Sequence, residues 1–280
     1  MGRKRAKKKR QTLRPLHLLL LCTGLFLLFF FFFFATRNQS TSIARETNQT
    51  VLGETNTADF CIKAPALLYH HIQPYEEARR LGHEQLTVDV SYFEQHIQYL
   101  LNNGYTLISA EELSQALEEG RTFPGKVALL TIDDGYVDVY DYAFPLAKKY
   151  HVKINLMIPS GLIATEGYMS WEQLREMVGS GLVSMVSHTW SHRALTMEDK
   201  EQVEKEIVAG KYTLEQKLGI RVATFAYPYG AFDASAISIL KKHGFRAAFS
   251  TQHSFEQCRN TIYRLYRNHA GNAPLSSYGL

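Results

Sequence analysis

The chain has 280 residues, with 31 Lys and Arg against 27 Asp and Glu, a formal charge of +4. Eight positives, Arg3, Lys4, Arg5, Lys7, Lys8, Lys9, Arg10 and Arg14, crowd into the first fourteen residues with no acid among them, which leaves about −4 on the remainder. The length suits one large domain, and a basic tail ahead of an acidic body removes most support for nucleic-acid binding.

After the basic residues 1–15, residues 16–35 are uncharged and rich in Leu and Phe, with His17 and Thr23 the polar interruptions. At about 1.5 Å per residue, a helix of that length crosses a hydrocarbon core of roughly 30 Å. The basic flank predicts a cytoplasmic N-terminus and an extracellular remainder, a single-pass arrangement at the cell membrane. A cleaved signal peptide is the rival reading, but the run is long for one and no small-x-small cleavage site follows it. Residues 36–63, rich in Thr, Asn and Ser, read as a flexible extracellular stalk. Cys61 and Cys258 fall on the exported side, where a disulfide is permitted; the sequence leaves open whether they pair.

Residues 64–280 form the folded domain. Short apolar runs at 66–69, 127–132, 154–158, 182–186, 223–227, 246–250 and 262–266 predict strands. Amphipathic segments at 91–102, 110–119, 139–150, 171–178, 198–218 and 234–243 predict helices, with Asp233 as an N-cap and Asn103-Gly104 and His243-Gly244 as stops. This alternation implies α/β architecture with parallel strands, either a doubly wound sheet or a (β/α) barrel. Both place chemistry at the C-terminal ends of strands.

Four clusters fall at those ends. Thr131-Ile132-Asp133-Asp134-Gly135 sets two carboxylates side by side. One Asp and a Gly make an ordinary turn, whereas a second Asp suits a metal ligand beside a general base, because a cation relieves the repulsion. His188 and His192, four apart on one turn, can reach a single ion, although such pairs are common without one. Tyr227-Pro228-Tyr229-Gly230 reads as a Pro-Gly turn or, functionally, as an oxyanion donor at the Tyr229 N–H with aromatic faces for sugar rings. Tyr69-His70-His71 supplies a histidine after the first strand. One histidine there is ordinary; four clusters at four strand ends are not. His17, His83, His96, His151, His243 and His253 show no such placement and read as surface or packing residues.

Over about residues 64–265, these motifs resemble the polysaccharide deacetylases of the NodB-homology group, carbohydrate esterase family 4. Thr131 to Gly135 is similar to that family's TFDDG motif and Ser187 to His192 to its H[ST]xxH motif. The resemblance implies a distorted (β/α) barrel, with Asp133 as general base and Asp134, His188 and His192 as ligands of one divalent metal. Zinc comes first, and cobalt, nickel and iron also suit such a site. Three departures stand out. The arginine expected before Pro-Tyr is replaced by Phe225 or Ala226, no Trp follows Trp190, and Leu265 and His269 are one residue too far apart for the usual acid motif. These departures resemble the poly-N-acetylglucosamine deacetylase branch, whose acid comes from an N-terminal Tyr-His element; Tyr69-His70 matches it. His70 is therefore the expected acid and His269 the fallback, with Tyr227, Pro228 and Tyr229 contacting substrate. The expected reaction is hydrolytic N-deacetylation of a cell-surface or biofilm polysaccharide, with peptidoglycan and chitin oligomers as alternative substrates. A non-catalytic glycan-binding homologue is a rival from another class, as is a non-haem iron oxygenase, which the β/α pattern disfavours.

Overall fold

The computed structural model describes residues 59–280. The basic tail, the span expected at 16–35 and most of the expected stalk lie outside them. Among the described residues, no helix is long and apolar enough to cross a membrane.

The strands are β1 (Cys61–Lys63), β2 (Ala66–Tyr69), β3 (His71–Ile72), β4 (Thr87–Val88), β5 (Tyr105–Leu107), β6 (Lys126–Asp133), β7 (Ile154–Ile158), β8 (Val183–Ser187), β9 (Thr224–Ala226), β10 (Ala247–Phe249), β11 (Glu256–Cys258) and β12 (Asn268–His269). The α-helices are α1 (Tyr75–Leu81), α2 (Val90–Asn102), α3 (Ala110–Glu119), α4 (Phe144–Tyr150), α5 (Trp171–Gly179), α6 (Lys200–Leu218) and α7 (Ala234–Lys242). The main sheet is parallel, in the order β10-β9-β8-β7-β6-β2-β12, and β5 pairs with the first half of β6. It curls toward closure. The segment after β11 meets β10 at Leu265, through Ser250 N–H to Leu265 O, and three residues on pairs with β2 as β12. Residues 265–269 therefore form a seam between the two edges.

Burial on both faces explains the unbroken apolar runs of β6 and β7, every residue of which is buried except Lys126. Helix starts follow their caps. Ser109 with Glu112 and Ser170 with Gln173 form reciprocal capping boxes, and the Asp233 carboxylate accepts from Ala236 N–H.

Two expected elements are corrected. The helix expected at 139–150 is broken: residues Val139–Ala143 form a wider π-turn before α4. Pro145 lacks an N–H and its ring crowds the carbonyl one turn back, which loosens the helix there. The strand expected at 262–266 is a 3-10 turn over Arg259–Arg264, followed by a single parallel bridge from Leu265 to Phe249 and then the short strand β12 at Asn268. Ile262 packs against the core from within the turn, and Leu265 is buried where the segment meets β10.

Ordered structure also starts before Ala64, because β1 pairs antiparallel with β11 and Cys61 is bonded to Cys258. That bond closes a sequence separation of 197 residues. Cross-links of long loops restrict the unfolded chain most. Replacing both cysteines by serine is expected to cost about 2–5 kcal/mol in denaturant unfolding, with the far-ultraviolet spectrum unchanged.

Candidate active site

The strand ends bring the candidate residues to one cleft of about 470 Å³, lined by His70, Asp133, Asp134, His188, His192, Tyr229 and His269 among others. Asp133 ends β6 and Asp134 begins the turn; His188 and His192 follow β8, and His70 follows β2. Asp134, His192 and Tyr229 have φ of 73°, 60° and 59°, in the left-handed region that disfavours side chains with a Cβ. Such conformations persist where the surrounding structure dictates them, and they gather at sites of chemistry.

Asp134 Oδ1 is buried and has no hydrogen-bond partner among the described residues. It lies 3.2 Å from His192 Nε2 and 3.8 Å from His188 Nε2, and the three ligand-type atoms fall within 4.8 Å of one another. His188 Nδ1 is 2.8 Å from Ala226 O, which assigns the proton to Nδ1 and leaves the Nε2 lone pair facing the cleft. An orphaned carboxylate oxygen beside two imidazole nitrogens, one with its tautomer fixed, fits a divalent cation.

The charges respond to burial. Asp134 is pushed up to about 6, by desolvation first and by the Asp133 charge second. Desolvation takes His188 down to about 3 and lowers His192 as well, so both imidazoles are neutral at pH 7 and ready to ligate. Asp133 behaves oppositely. Burial opposes its charge, but Arg267, with His188 and His70 behind it, outweighs that and holds the carboxyl below its ordinary value. His70 is lowered by burial, against the pull of Asp133 and Asp134.

Arg267 is the principal residue that sequence reasoning missed. It is 1% exposed and lies in the seam, with Nη1 2.5 Å from Asp133 Oδ1 and Nε donating to Ser250 O at 3.0 Å. The arginine sought near Phe225 is thus supplied from 134 residues beyond Asp133. The other missed residue is Glu206 on α6, only 3% exposed. Its carboxylate accepts from the N–H groups of Trp190 and Ser191 and from the Ser191 hydroxyl, which organises the turn between His188 and His192. Gly210, one helical turn further, lets α6 approach: a Cβ there would lie 2.6 Å from the Thr189 carbonyl. The available signal was an acid within the apolar face formed by Val203, Ile207 and Leu214.

The third cluster divides. Tyr229 is 70% exposed and lines the cleft, with its ring 4.8 Å from that of His192, and its N–H has no acceptor among the described residues. Tyr227 and Pro228, expected to touch substrate, are corrected: both are buried and neither lines the cleft. The Tyr227 side chain turns into the core, where its hydroxyl donates to Tyr263 O at 2.9 Å. Gly230, at φ +68°, is required by contact, since a Cβ would meet Thr251 Oγ1. His70 and His269 both reach the cleft, with parallel rings whose centroids are 6.5 Å apart. His96, by contrast, packs in the core on Tyr69.

Residues 120–248 match the polysaccharide deacetylase family. That segment, which holds Asp133, Asp134, His188 and His192, marks a polysaccharide deacetylase domain. Members of the family are hydrolases of N-acetyl amide bonds in polysaccharides. This deacetylase is 28% identical over 205 residues to YxkH of Bacillus subtilis (strain 168), covering 73% of this chain and 70% of the relative. It is also 28% identical to the poly-beta-1,6-N-acetyl-D-glucosamine N-deacetylase of Staphylococcus epidermidis, across 57% of this chain and 60% of that enzyme. The solved structure of IcaB from Ammonifex degensii, 26% identical, superposes with a TM-score of 0.65 over 76% of this chain and 93% of that one.

Two outcomes test the site's energetics. Asp134 is raised from 3.8 to about 6, so its contribution to stability is full below pH 3.8 and is lost as the pH rises through 6. In chelator-treated protein at pH 7, Asp134→Asn is expected to raise stability by on the order of 3 kcal/mol, with no gain at pH 3.5; a thermal melt series reads both. Glu206→Ala strands two amides and a hydroxyl, and is expected to cost about 2–4 kcal/mol and to speed hydrogen exchange at Trp190 and Ser191 by tenfold or more, read by NMR.

Proposed function

We propose that the protein is a metal-dependent deacetylase of N-acetylglucosamine units in an extracellular polysaccharide, with poly-β-1,6-N-acetylglucosamine as the preferred polymer. The observation that carries this reading is the convergence of Asp134, His188 and His192 beside the Asp133 to Arg267 ion pair in one open cleft. Asp134 Oδ1 and the Nε2 atoms of His188 and His192 are the proposed ligands. A bound divalent cation supplies a Lewis acid for the acetamide carbonyl and lowers the pKa of a water.

The chain's own groups do the rest. Asp133, kept ionised by Arg267, accepts a proton from the attacking water. The Tyr229 N–H donates to the oxygen that gains charge, worth about 3 kcal/mol for one such donor. His70 delivers a proton to the departing nitrogen, and its lowered pKa makes the imidazolium a stronger acid than an ordinary histidine. Acetate and a free amine are the products.

The reading places the domain outside the cell, held by residues 16–35 as a membrane anchor. The cystine between Cys61 and Cys258 supports an oxidising compartment, and the similarity to a poly-N-acetylglucosamine deacetylase supports the choice of polymer.

Full-length protein is expected to release acetate from poly-β-1,6-N-acetylglucosamine faster than from chitin oligomers or peptidoglycan, with the release abolished by chelator and restored by zinc. Asp133→Asn and His70→Ala are each expected to cut turnover roughly 100-fold or more while still binding the metal. No release from any polymer by folded, zinc-loaded protein would favour a glycan-binding role instead.

A further inference from the structure

A second cavity, about 320 Å³, adjoins the catalytic cleft, and Tyr136 and Tyr168 line both. Its size is in the range of a small-molecule site. One wall is a stack of rings. The His71 ring lies between Tyr136, with centroids 3.8 Å apart, and His83, at 4.4 Å, with interplanar angles of 17° and 14°. Asp138 fixes this stack, because its carboxylate takes His71 Nδ1 at 2.6 Å and the Ile72 N–H at 2.8 Å.

The rest of the lining is rich in hydrogen-bond acceptors. Glu77, Asp141 and Glu166 present carboxylates, and among the described residues no Lys or Arg lines the cavity. Arg80 approaches Glu77 at 3.6 Å on a largely exposed side chain, and the Tyr142 hydroxyl donates to Glu77 Oε2. Asp141 has no ion-pair partner among the described residues, and burial together with the charges of Asp138 and Glu77 raises its pKa. Gln73 is 2% exposed; its Nε2 donates to Thr87 Oγ1, while its Oε1 accepts no hydrogen bond among the described residues and the residue lines the cavity.

A metal ion is a poor match. The donor atoms do not converge: among the described residues, the groups close enough to share an ion are Asp134 with His188 and His192, and Asp59 with Cys61 and Cys258. Aromatic faces beside scattered acceptors suit a sugar ring bearing a cationic donor. We propose that this cavity is a subsite for a glucosamine unit that has already lost its acetyl group, so that the enzyme acts preferentially on N-acetylglucosamine next to a free amine. The proposal rests on the deacetylase reading above. It makes the product of one turnover a recognition element for the next, and a partly deacetylated chain a better substrate than a fully acetylated one.

The test compares two β-1,6-linked pentasaccharides, one fully acetylated and one with a single internal glucosamine, as substrates for full-length protein at low salt. Wild type is expected to favour the mixed oligomer in kcat/KM by about fivefold, and the preference should shrink as salt rises. Asp141→Asn with Glu166→Gln is expected to bring the ratio near one and leave the acetylated oligomer turned over as before. If the pair does not fold, Glu166→Gln alone, at an exposed position, carries the comparison. Equal kcat/KM for the two oligomers in wild type, or a preference that the variants leave intact, would overturn the subsite. If neither oligomer releases acetate, the deacetylase reading fails, and calorimetry with a glucosamine trisaccharide decides the cavity separately: binding weakened in the variant upholds it, and absent or unchanged binding sinks it.

Discussion

The buried ion pair between Arg267 and Asp133 is the contact on which both the curled sheet and the charge pattern of its candidate site depend. Arg267 stands in the segment that joins the two edges of the curled sheet, and Asp133 ends the central strand β6. A guanidinium with almost no exposure is tolerable only beside a negative partner, since an isolated buried charge costs several kcal/mol. The same requirement that draws the seam onto the sheet holds Asp133 ionised where burial alone would neutralise it. The contact that closes the fold thus also keeps this carboxylate charged.

Around that pair, the two carboxylates diverge although they are adjacent in sequence. Asp133 faces a permanent cation and stays charged, while Asp134 faces neutral imidazoles and the Asp133 charge and is pushed up to about 6. Adjacent acids with opposed shifts are suited to different tasks, which is what the proposed roles of base and ligand require. The support behind them comes from α6. Glu206 and Gly210, four residues apart on one face, respectively tie down and make room for the turn that carries His188 and His192.

The parts of the site legible in sequence were those written locally. Asp133, Asp134, His188 and His192 each follow an apolar run that becomes a strand, and strand ends in a parallel sheet converge by geometry. The strands at 66–69 and 154–158 and the helix at 110–119 stand where their patterns put them, because both-face burial and a Ser-to-Glu capping box are local signals. Arg267 was hidden because its partner lies across the seam, and no spacing rule links the two. Glu206 resembled one more acid on a charged helix until packing showed which face it occupies. Tyr227 failed as a substrate contact for a simpler reason: β9 is buried throughout, and the residue after it still faces the core. The pairing of Cys61 with Cys258 likewise needed the sheet to bring β1 beside β11.

That cystine also bears on how the molecule withstands a cut in its chain. The bond turns residues 61 to 258 into a covalent ring that contains Asp133, Asp134, His188, His192 and His70, with Arg267 and His269 on the short arm beyond it. A peptide bond hydrolysed by a neighbouring protease in any exposed loop of that ring opens the circle without separating its pieces. The nicked protein keeps both halves of its cleft on one molecule and can hold them in register by packing alone.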